Sequence, residues 1–205
     1  MYLSSPLADI SRRLNQATAA PSVTPGDQKP AAVALILRES GSGLELLFIE
    51  RARHPRDPWS GNIGLPGGRM DSRDADLRQT AERETLEEVG IDLATAACLG
   101  RLSDVVGANL PVRVACFVYH LLQPVQPVLS HEVHDAFWFE LEALRQPQRQ
   151  MTAAVRFGGQ TLEAPAIQLH PQRPVLWGIT YRLVSQFCQV LASGEEQPLP
   201  YTLPL

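Results

Sequence analysis

Cysteine is scarce in this chain of 205 residues, with three copies at positions 98, 116 and 188. An odd number of widely spaced cysteines argues against a disulfide framework, and their spacing matches no zinc-ligand pattern. We therefore expect Cys98, Cys116 and Cys188 to be free thiols in a reducing cytoplasm, buried as small hydrophobic side chains.

Long apolar runs are also absent, because no stretch approaches the roughly 20 apolar residues that span a bilayer. The N-terminal residues lack the basic and long apolar regions of a secretory signal. The net charge of −4 gives no reason to expect nucleic acid as the main partner. We therefore expect a cytoplasmic protein that binds neither nucleic acid nor membrane.

The chain length suits one domain with extensions. Leu7, Ile10 and Leu14 have the spacing of an amphipathic helix over residues 7–19, and the prolines of residues 21–30 indicate a linker. We expect three parts. The N-terminal helix and Pro-rich linker occupy residues 1–30, the main domain occupies 31–192, and a C-terminal tail occupies 193–205.

The main domain alternates apolar runs with turn residues, a pattern typical of strands around two helices. Strands are predicted over residues 31–37, 44–50, 97–102, 112–122 and 131–139, helices over 76–89 and 175–191, a hairpin over 157–169 and a long functional loop over 51–73. These elements predict the α+β class, as an α/β/α sandwich around a mixed β-sheet.

Three glutamates lie within five residues of the predicted helix 76–89. Glu84, Glu87 and Glu88 project from one face of the helix, within an arc of about 100°. Like charges so spaced weaken a helix by roughly a few tenths of a kcal/mol per pair, and a hard divalent cation that prefers oxygen ligands would offset the repulsion. A solvated acidic face is the alternative interpretation of this spacing.

The residues around the three glutamates favour a metal site. Gly67 and Gly68 precede the helix and allow backbone atoms to approach an ion or phosphate closely, while Gly90 has the position of a left-handed C-cap. Asp74 could cap the start of the helix. Arg83 is expected to form a bidentate pair with a glutamate and so fix its carboxylate.

Together these residues resemble the Nudix box. The family pattern is Gly, five residues, Glu, seven residues, then Arg-Glu-aliphatic-x-Glu-Glu-x-Gly-aliphatic. This chain matches it at Gly68, Arg83, Glu84, Glu87, Glu88, Gly90 and Ile91. It departs where Asp74 replaces the first Glu, where eight residues follow instead of seven, and where Thr85 replaces the aliphatic residue.

The spacing and the resemblance agree on several roles. Glu84 and Glu88, one helical turn apart, are expected to bind Mg²⁺ or Mn²⁺, and Glu87 could ligate a second ion or hold its water. The resemblance adds the Gly68 carbonyl as a ligand. It also implies a general base whose position varies within the family, and Glu132 is the best candidate outside the box.

The segment before the box is similar to the motif of the coenzyme A pyrophosphatase branch of the family. The matching residues are Arg51, Ala52, Arg56, Gly61, Pro66, Gly67 and Gly68, whereas Ile49, Leu65 and one extra residue between Arg56 and Gly61 depart from the motif. The resemblance implies hydrolysis of coenzyme A or its derivatives to 3′,5′-ADP and 4′-phosphopantetheine. Arg51, Arg53 and Arg56 would bind the additional 3′-phosphate.

Other interpretations stay open from the sequence. The substrate could be ADP-ribose, NADH or a dinucleoside polyphosphate, or the fold could be a ligand sensor without turnover. The arginines could instead pair with Glu50 and Asp57, and Trp59 could stack on adenine or pack its loop. We interpret His131 and His134 as surface residues. We expect the partner to be a small-molecule nucleoside diphosphate substrate, and the chain could form a homodimer.

Overall fold

The computed structural model describes residues 5–17, 28–54, 59–107 and 111–192. In these ranges a large sheet lies between helices on its two faces, and a smaller sheet follows it in the chain. The predicted α/β/α sandwich around a mixed sheet is confirmed. Most of the proposed linker and the tail over 193–205 lie outside the described residues.

The larger sheet is mixed because one strand has neighbours in both directions. Its strands are β1 (Lys29–Ser40), β2 (Gly43–Arg51), β3 (Ile63–Gly64), β4 (Gly67–Arg69), β5 (Ala97–Arg101), β6 (Val105–Val106), β7 (Val112–His120) and β8 (Val133–Glu140). Strand β1 runs parallel to β7 and antiparallel to β2 and β4. Strand β8 pairs with the other edge of β2.

Three α-helices cover the two faces of this sheet: α1 (Ser5–Ala17), α2 (Leu77–Val89) and α3 (Gly178–Ala192). Alternate residues of β1 point to opposite faces, as in any strand. Leu35 and Leu37 pack with α1 and α3, whereas Ala34 and Ile36 pack with α2. Helices α1 and α3 therefore share one face of the sheet, and α2, which carries the acidic cluster, covers the other face.

The predicted N-terminal helix begins two residues earlier and ends two residues earlier than expected, at Ser5–Ala17. Its predicted apolar stripe of Leu7, Ile10 and Leu14 is buried in the same cluster as α3. Gly100 of β5 makes this packing close, because a Cβ atom there would lie 2.9 Å from the Cβ of Leu14.

The smaller sheet contains β9 (Gln150–Phe157), β10 (Gln160–Ile167) and β11 (Leu176–Trp177). Strands β9 and β10 form the predicted hairpin around Gly158 and Gly159, with Gln160 opposite Phe157. The predicted final helix begins at Gly178 because the two preceding residues pair with β10.

The expectation that residues 51–73 form one long ordered loop is wrong in part. Strands β3 and β4 lie inside it and pair with β2 and β1. These two strands together have five residues, and three of the five are glycines. They are therefore too short to show the alternating pattern by which a strand is recognised in a sequence. Over the described ranges, no helix is long and apolar enough to cross a membrane.

Candidate active site

Helix α2 positions the acidic cluster and has well-defined ends. The side chain of Asp76 accepts a hydrogen bond of 2.8 Å from the backbone N–H of Gln79 and caps the first turn. At the other end Gly90 has a φ of 67° and donates its backbone N–H to the Leu86 carbonyl oxygen, as predicted. The expectation that Asp74 caps this helix is wrong.

Asp74 instead forms an ion pair with Arg83. The guanidinium donates Nε–H to Oδ1 and Nη2–H to Oδ2, each at 2.9 Å. Oδ2 also accepts the Thr80 hydroxyl and the Asp71 backbone N–H. The Arg83 guanidinium beside it, together with these two donors, holds the pKa of Asp74 well below its usual range, although burial acts in the opposite direction.

Arg83 also contacts two of the three glutamates. Its Nη1 lies 2.9 Å from Oε1 of Glu84 and 2.9 Å from Oε2 of Glu87. The prediction that Arg83 contacts a glutamate is confirmed, but the prediction that this pair is bidentate is wrong, because the two parallel bonds go to Asp74. A planar guanidinium with several donors suits this arrangement, because Nε and Nη2 bind Asp74 while Nη1 is left for the two glutamates.

The three glutamates have different environments although they share one face of the helix. The side chain of Glu88 is 3% exposed, that of Glu84 is 17% exposed and that of Glu87 is 56% exposed. Glu88 Oε2 accepts the Gly67 backbone N–H at 2.9 Å, and Oε1 lies 3.5 Å from Nη1 of Arg51. The cluster thus has a buried end at Glu88 and a solvated end at Glu87.

Burial raises the pKa of Glu88 to about 7, against the opposing effects of the Gly67 N–H and the Arg51 charge. The charges of Glu84 and Glu132 raise it further. Burial likewise raises the pKa of Glu84. Both carboxylates are thus held where their negative charge is poorly solvated, and a bound cation would stabilise that charge.

The double glycine lets the backbone of β4 approach both β1 and α2. Gly67 has a φ of 148°, and a Cβ atom there would overlap the Ala32 carbonyl oxygen and lie 2.5 Å from the Cα of Val33. A Cβ at Gly68 would lie 2.5 Å from both carboxylate oxygens of Glu84. No side chain fits at either position, so the backbone of these residues lies against the acidic cluster.

Glu132 lies in the turn before β8 and is exposed to solvent. Its carbonyl oxygen accepts the Ala52 backbone N–H at 2.8 Å, just after β2 ends. Its negative charge contributes to raising the pKa of both Glu84 and Glu88. His131 and His134 are exposed, as predicted.

Two of the three predicted substrate-binding arginines are described. Arg51 ends β2 and faces Glu88, whereas Arg53 follows the strand and is exposed; Arg56 lies outside the described residues. Glu50, which the sequence offered as a partner for these arginines, pairs with Arg173 at 3.4 Å. Asp57, the other offered partner, also lies outside the described residues.

Trp59 packs its loop, which was one of its two interpretations from the sequence, but the partners that hold the turn over 59–62 were not predicted. The ring of Trp59 packs against Phe157 and Trp177, with ring centroids 4.8 and 5.9 Å away. Trp177 also donates its indole N–H to Asn62 Oδ1 at 3.2 Å. The Asn62 carbonyl in turn accepts the Arg51 backbone N–H. No local signal links residues so far apart in the chain.

The cysteine expectation is correct in one respect and wrong in another. All three thiols are free, and Cys116 and Cys188 are buried. Cys98 is exposed, because β5 pairs with β7 alone and Cys98 alternates with the buried Leu99.

The donor set fits a hard divalent cation. Among residues 5–17, 28–54, 59–107 and 111–192, no group of three or more His, Cys, Asp or Glu side chains is arranged to hold a metal ion by itself. Mg²⁺ usually needs only one or two carboxylates, since waters and substrate phosphates complete its octahedral shell. Glu84 and Glu88 can supply those carboxylates, and Gly68 leaves space for the close approach of its backbone.

The chain matches a family model described as "NUDIX domain" over residues 27–157. An uncharacterized protein of Schizosaccharomyces pombe, C14C4.10c, is 40% identical over 115 residues, which cover 51% of this chain and 34% of that protein. The human mitochondrial coenzyme A diphosphatase NUDT8 is 31% identical over 158 residues, which cover 75% of this chain and 65% of the human protein. This chain therefore spans 34% and 65% of the lengths of these two relatives.

A solved structure of the NUDIX domain of Shewanella oneidensis NrtR, complexed with ADP ribose, has a TM-score of 0.55 to this chain. It is 20% identical and covers 86% of this chain and 96% of that chain. At this identity the similarity concerns the fold alone, and it agrees with the sandwich described above.

Proposed function

The chain belongs to the NUDIX family, and on that premise we propose that it is a divalent-metal-dependent pyrophosphohydrolase whose substrate is coenzyme A or one of its derivatives. Hydrolysis of the diphosphate gives 3′,5′-ADP and 4′-phosphopantetheine. Two features support this substrate: the name of the human relative, a coenzyme A diphosphatase, and the arginines at the end of β2 and after it.

The observation that carries the proposal is the buried carboxylate of Glu88 beside the double glycine. A carboxylate that is 3% exposed, and that meets the Gly67 backbone N–H and the Arg51 guanidinium, lowers the stability of the fold, so its negative charge is expected to have a use in function. Cation binding is such a use, because it stabilises the charge that burial disfavours.

Glu84, Glu88 and the Gly68 carbonyl are the proposed ligands of Mg²⁺ or Mn²⁺. When bound, the cation would supply Lewis acidity and neutralise negative charge on the diphosphate oxygens. Arg83 keeps Glu84 in place through its own pairing with Asp74. Glu87 is more exposed and would hold water or a second ion at the outer end of the cluster.

Glu132 is the proposed general base. It takes a proton from the attacking water, while the water oxygen forms a bond to one phosphorus of the diphosphate. The bridging P–O bond breaks, and the bridging oxygen leaves with the second phosphate. The exposure of Glu132 suits this role, because solvent water can reach its carboxylate.

Arg51, Arg53 and Arg56 are proposed to bind the anionic part of the substrate beyond the scissile diphosphate. Arg51 lies beside Glu88, so in this proposal it is near the diphosphate. Arg53 is exposed in the segment after β2, and its side chain would bind the 3′-phosphate. Guanidinium groups bind phosphates with paired hydrogen bonds, which distinguishes them from a simple point charge.

The division into residues 1–30, 31–192 and 193–205 stays a prediction, as do a cytoplasmic location, a homodimer, and the expected lack of nucleic-acid and membrane partners. The name of the human relative assigns that protein to the mitochondrion.

A mass-spectrometric product assay tests the proposal. The chain is incubated with Mg²⁺ and, separately, coenzyme A, ADP-ribose, NADH and diadenosine polyphosphates. We expect 3′,5′-ADP and 4′-phosphopantetheine from coenzyme A, abolished by chelation and by Glu88→Gln but not by Glu163→Gln on the exposed face of β10. If another substrate is cleaved faster than coenzyme A, then coenzyme A is not the preferred substrate. If the chain binds these compounds and forms no product from them, it is a ligand sensor and not a hydrolase.

A further inference from the structure

The segment between β7 and β8 binds to the C-terminal end of α2. The last carbonyl groups of a helix have no partner within the helix. Here the backbone N–H of Val128 donates to the Val89 carbonyl oxygen at 2.8 Å, and that of Ser130 donates to the Glu88 carbonyl oxygen at 2.9 Å. The segment that precedes Glu132 is therefore hydrogen-bonded to Glu88, the last glutamate of the acidic cluster.

Ser130 makes further bonds within the same turn. Its hydroxyl oxygen accepts the Glu132 backbone N–H at 3.2 Å, and its carbonyl oxygen lies 3.3 Å from the Val133 backbone nitrogen, which donates to it. Ser130 thus connects Glu88 on one side with Glu132 on the other. Short side-chain oxygens that accept a backbone N–H two residues ahead are known to fix turns of this kind.

A β-bulge lies two residues after Glu132. In the pairing of β2 with β8, Glu50 is opposite Asp135 and Arg51 is opposite Val133, so His134 is an extra residue in β8. Bulges commonly re-aim side chains beside functional sites. The Glu132 carbonyl is held on the other side by the Ala52 N–H, so the turn is attached at both ends.

We propose that Ser130 is a positioning residue, which directs the Glu132 carboxylate toward Glu84 and Glu88 through its hydroxyl and backbone hydrogen bonds. This rests on the proposed function, since it assigns Glu132 the task of accepting a proton from water. A general base must lie within hydrogen-bond reach of that proton, so an exposed glutamate needs its turn fixed to act efficiently.

The test measures kcat and KM for coenzyme A at saturating Mg²⁺ in Ser130→Ala, Ser130→Thr and Ser130→Val. Thr and Val are nearly equal in shape and differ in the hydroxyl. We expect Ala and Val to lower kcat about tenfold, the effect of one lost hydrogen bond, with KM unchanged and Thr close to wild type. Ser42→Ala, in the turn between β1 and β2, is the control and should match wild type.

A double-mutant cycle with Glu132→Gln separates positioning from simple stability. If Ser130 acts through Glu132, adding Ser130→Ala to Glu132→Gln lowers kcat no further. The proposal is overturned if Ser130→Ala keeps wild-type kcat, if Thr is no better than Val, or if the Ala effect persists in full in the Glu132→Gln background. Should Ser130→Ala fail to fold, the Thr and Val pair decides.

Failure here is distinguishable from failure of the proposed function. If Glu132→Gln retains wild-type kcat while Glu88→Gln is inactive, then Ser130 has no base to position and the inference is wrong, yet the hydrolase stands. If wild type forms no product from any substrate tested, the proposed function fails and the inference fails with it.

Discussion

Gly68 contacts Glu84 so closely that a Cβ atom at position 68 would lie 2.5 Å from both carboxylate oxygens. Strand β4 pairs Gly68 with Ala32, so its backbone cannot move away without breaking the sheet. Helix α2 in turn holds Glu84 against Arg83. The position of this carboxylate therefore depends on the absence of a side chain in a neighbouring strand.

We expect Gly68→Ala to displace Glu84 and to lower kcat by about 100-fold, the scale of effect of a misplacement of roughly 1 Å in an active site. The matched control is Gly64→Ala, since a Cβ there meets only the Ile49 side chain at 3.9 Å. Steady-state kinetics with Mg²⁺ measures both variants. Equal activity of the two would show that the position of Glu84 does not matter.

The Asp74–Arg83 pair predicts how stability changes in acid. The pKa of Asp74 is lower in the folded chain than its unfolded value of about 3.9, so its contribution to stability is present above that value and is lost as the pH falls through the folded pKa. Asp74→Asn should lower the free energy of unfolding near pH 7 by about 2–3 kcal/mol. The difference from wild type should shrink below pH 4.

Chemical unfolding in urea at pH 7 and pH 3 measures this effect. The control is Asp76→Asn, because asparagine caps a helix about as well as aspartate and little change is expected. A difference between Asp74→Asn and wild type that stays constant between the two pH values would contradict the linkage.

Arg53 should discriminate between substrates with and without the 3′-phosphate. We expect Arg53→Ala to raise KM for coenzyme A about tenfold, as when one charge-assisted contact is lost, and to leave KM for dephospho-coenzyme A nearly unchanged. Arg156→Ala, on an exposed position of β9, is the control. Equal effects on both substrates would remove the proposed contact with the 3′-phosphate.

The three thiols should react at very different rates. Burial raises the pKa of Cys116 and of Cys188 to about 12, so little thiolate forms at neutral pH, and neither sulfur is accessible. Iodoacetamide should therefore label the exposed Cys98 alone in the folded protein, and all three cysteines in urea. Peptide mass spectrometry identifies the sites, and Cys98→Ser should abolish native labelling. Rapid native labelling of Cys116 would contradict this burial.

Local patterns predicted the central parts of the structure. The spacing of Glu84, Glu87 and Glu88 and the glycine at position 90 are properties of consecutive residues, so the acidic face and the end of α2 follow from the sequence. The hairpin of β1 and β2 follows from the two apolar runs around a glycine turn.

Two kinds of feature could not be predicted from the sequence: which of two similar residues takes a given role, and which residues far apart in the chain are in contact. Asp74 and Asp76 are both suitable caps, and the choice between them depends on Arg83, which binds Asp74. The exposure of Cys98 depends on which strands lie beside β5. The pairing of Glu50 with Arg173 joins residues 123 positions apart, so it arises only once the chain has folded.

The parallel pairing of β1 with β7 also has a consequence for folding. Its register joins Lys29 with Val112 and Leu37 with His120, so it closes a long loop that contains α2. Loop closure of this kind carries an entropic cost before its contacts form, and such topologies fold slowly. During synthesis, α2 is therefore complete before β7 can pair with β1, so the acidic helix lies on an incomplete sheet. In that state the chain can misfold and is accessible to proteases.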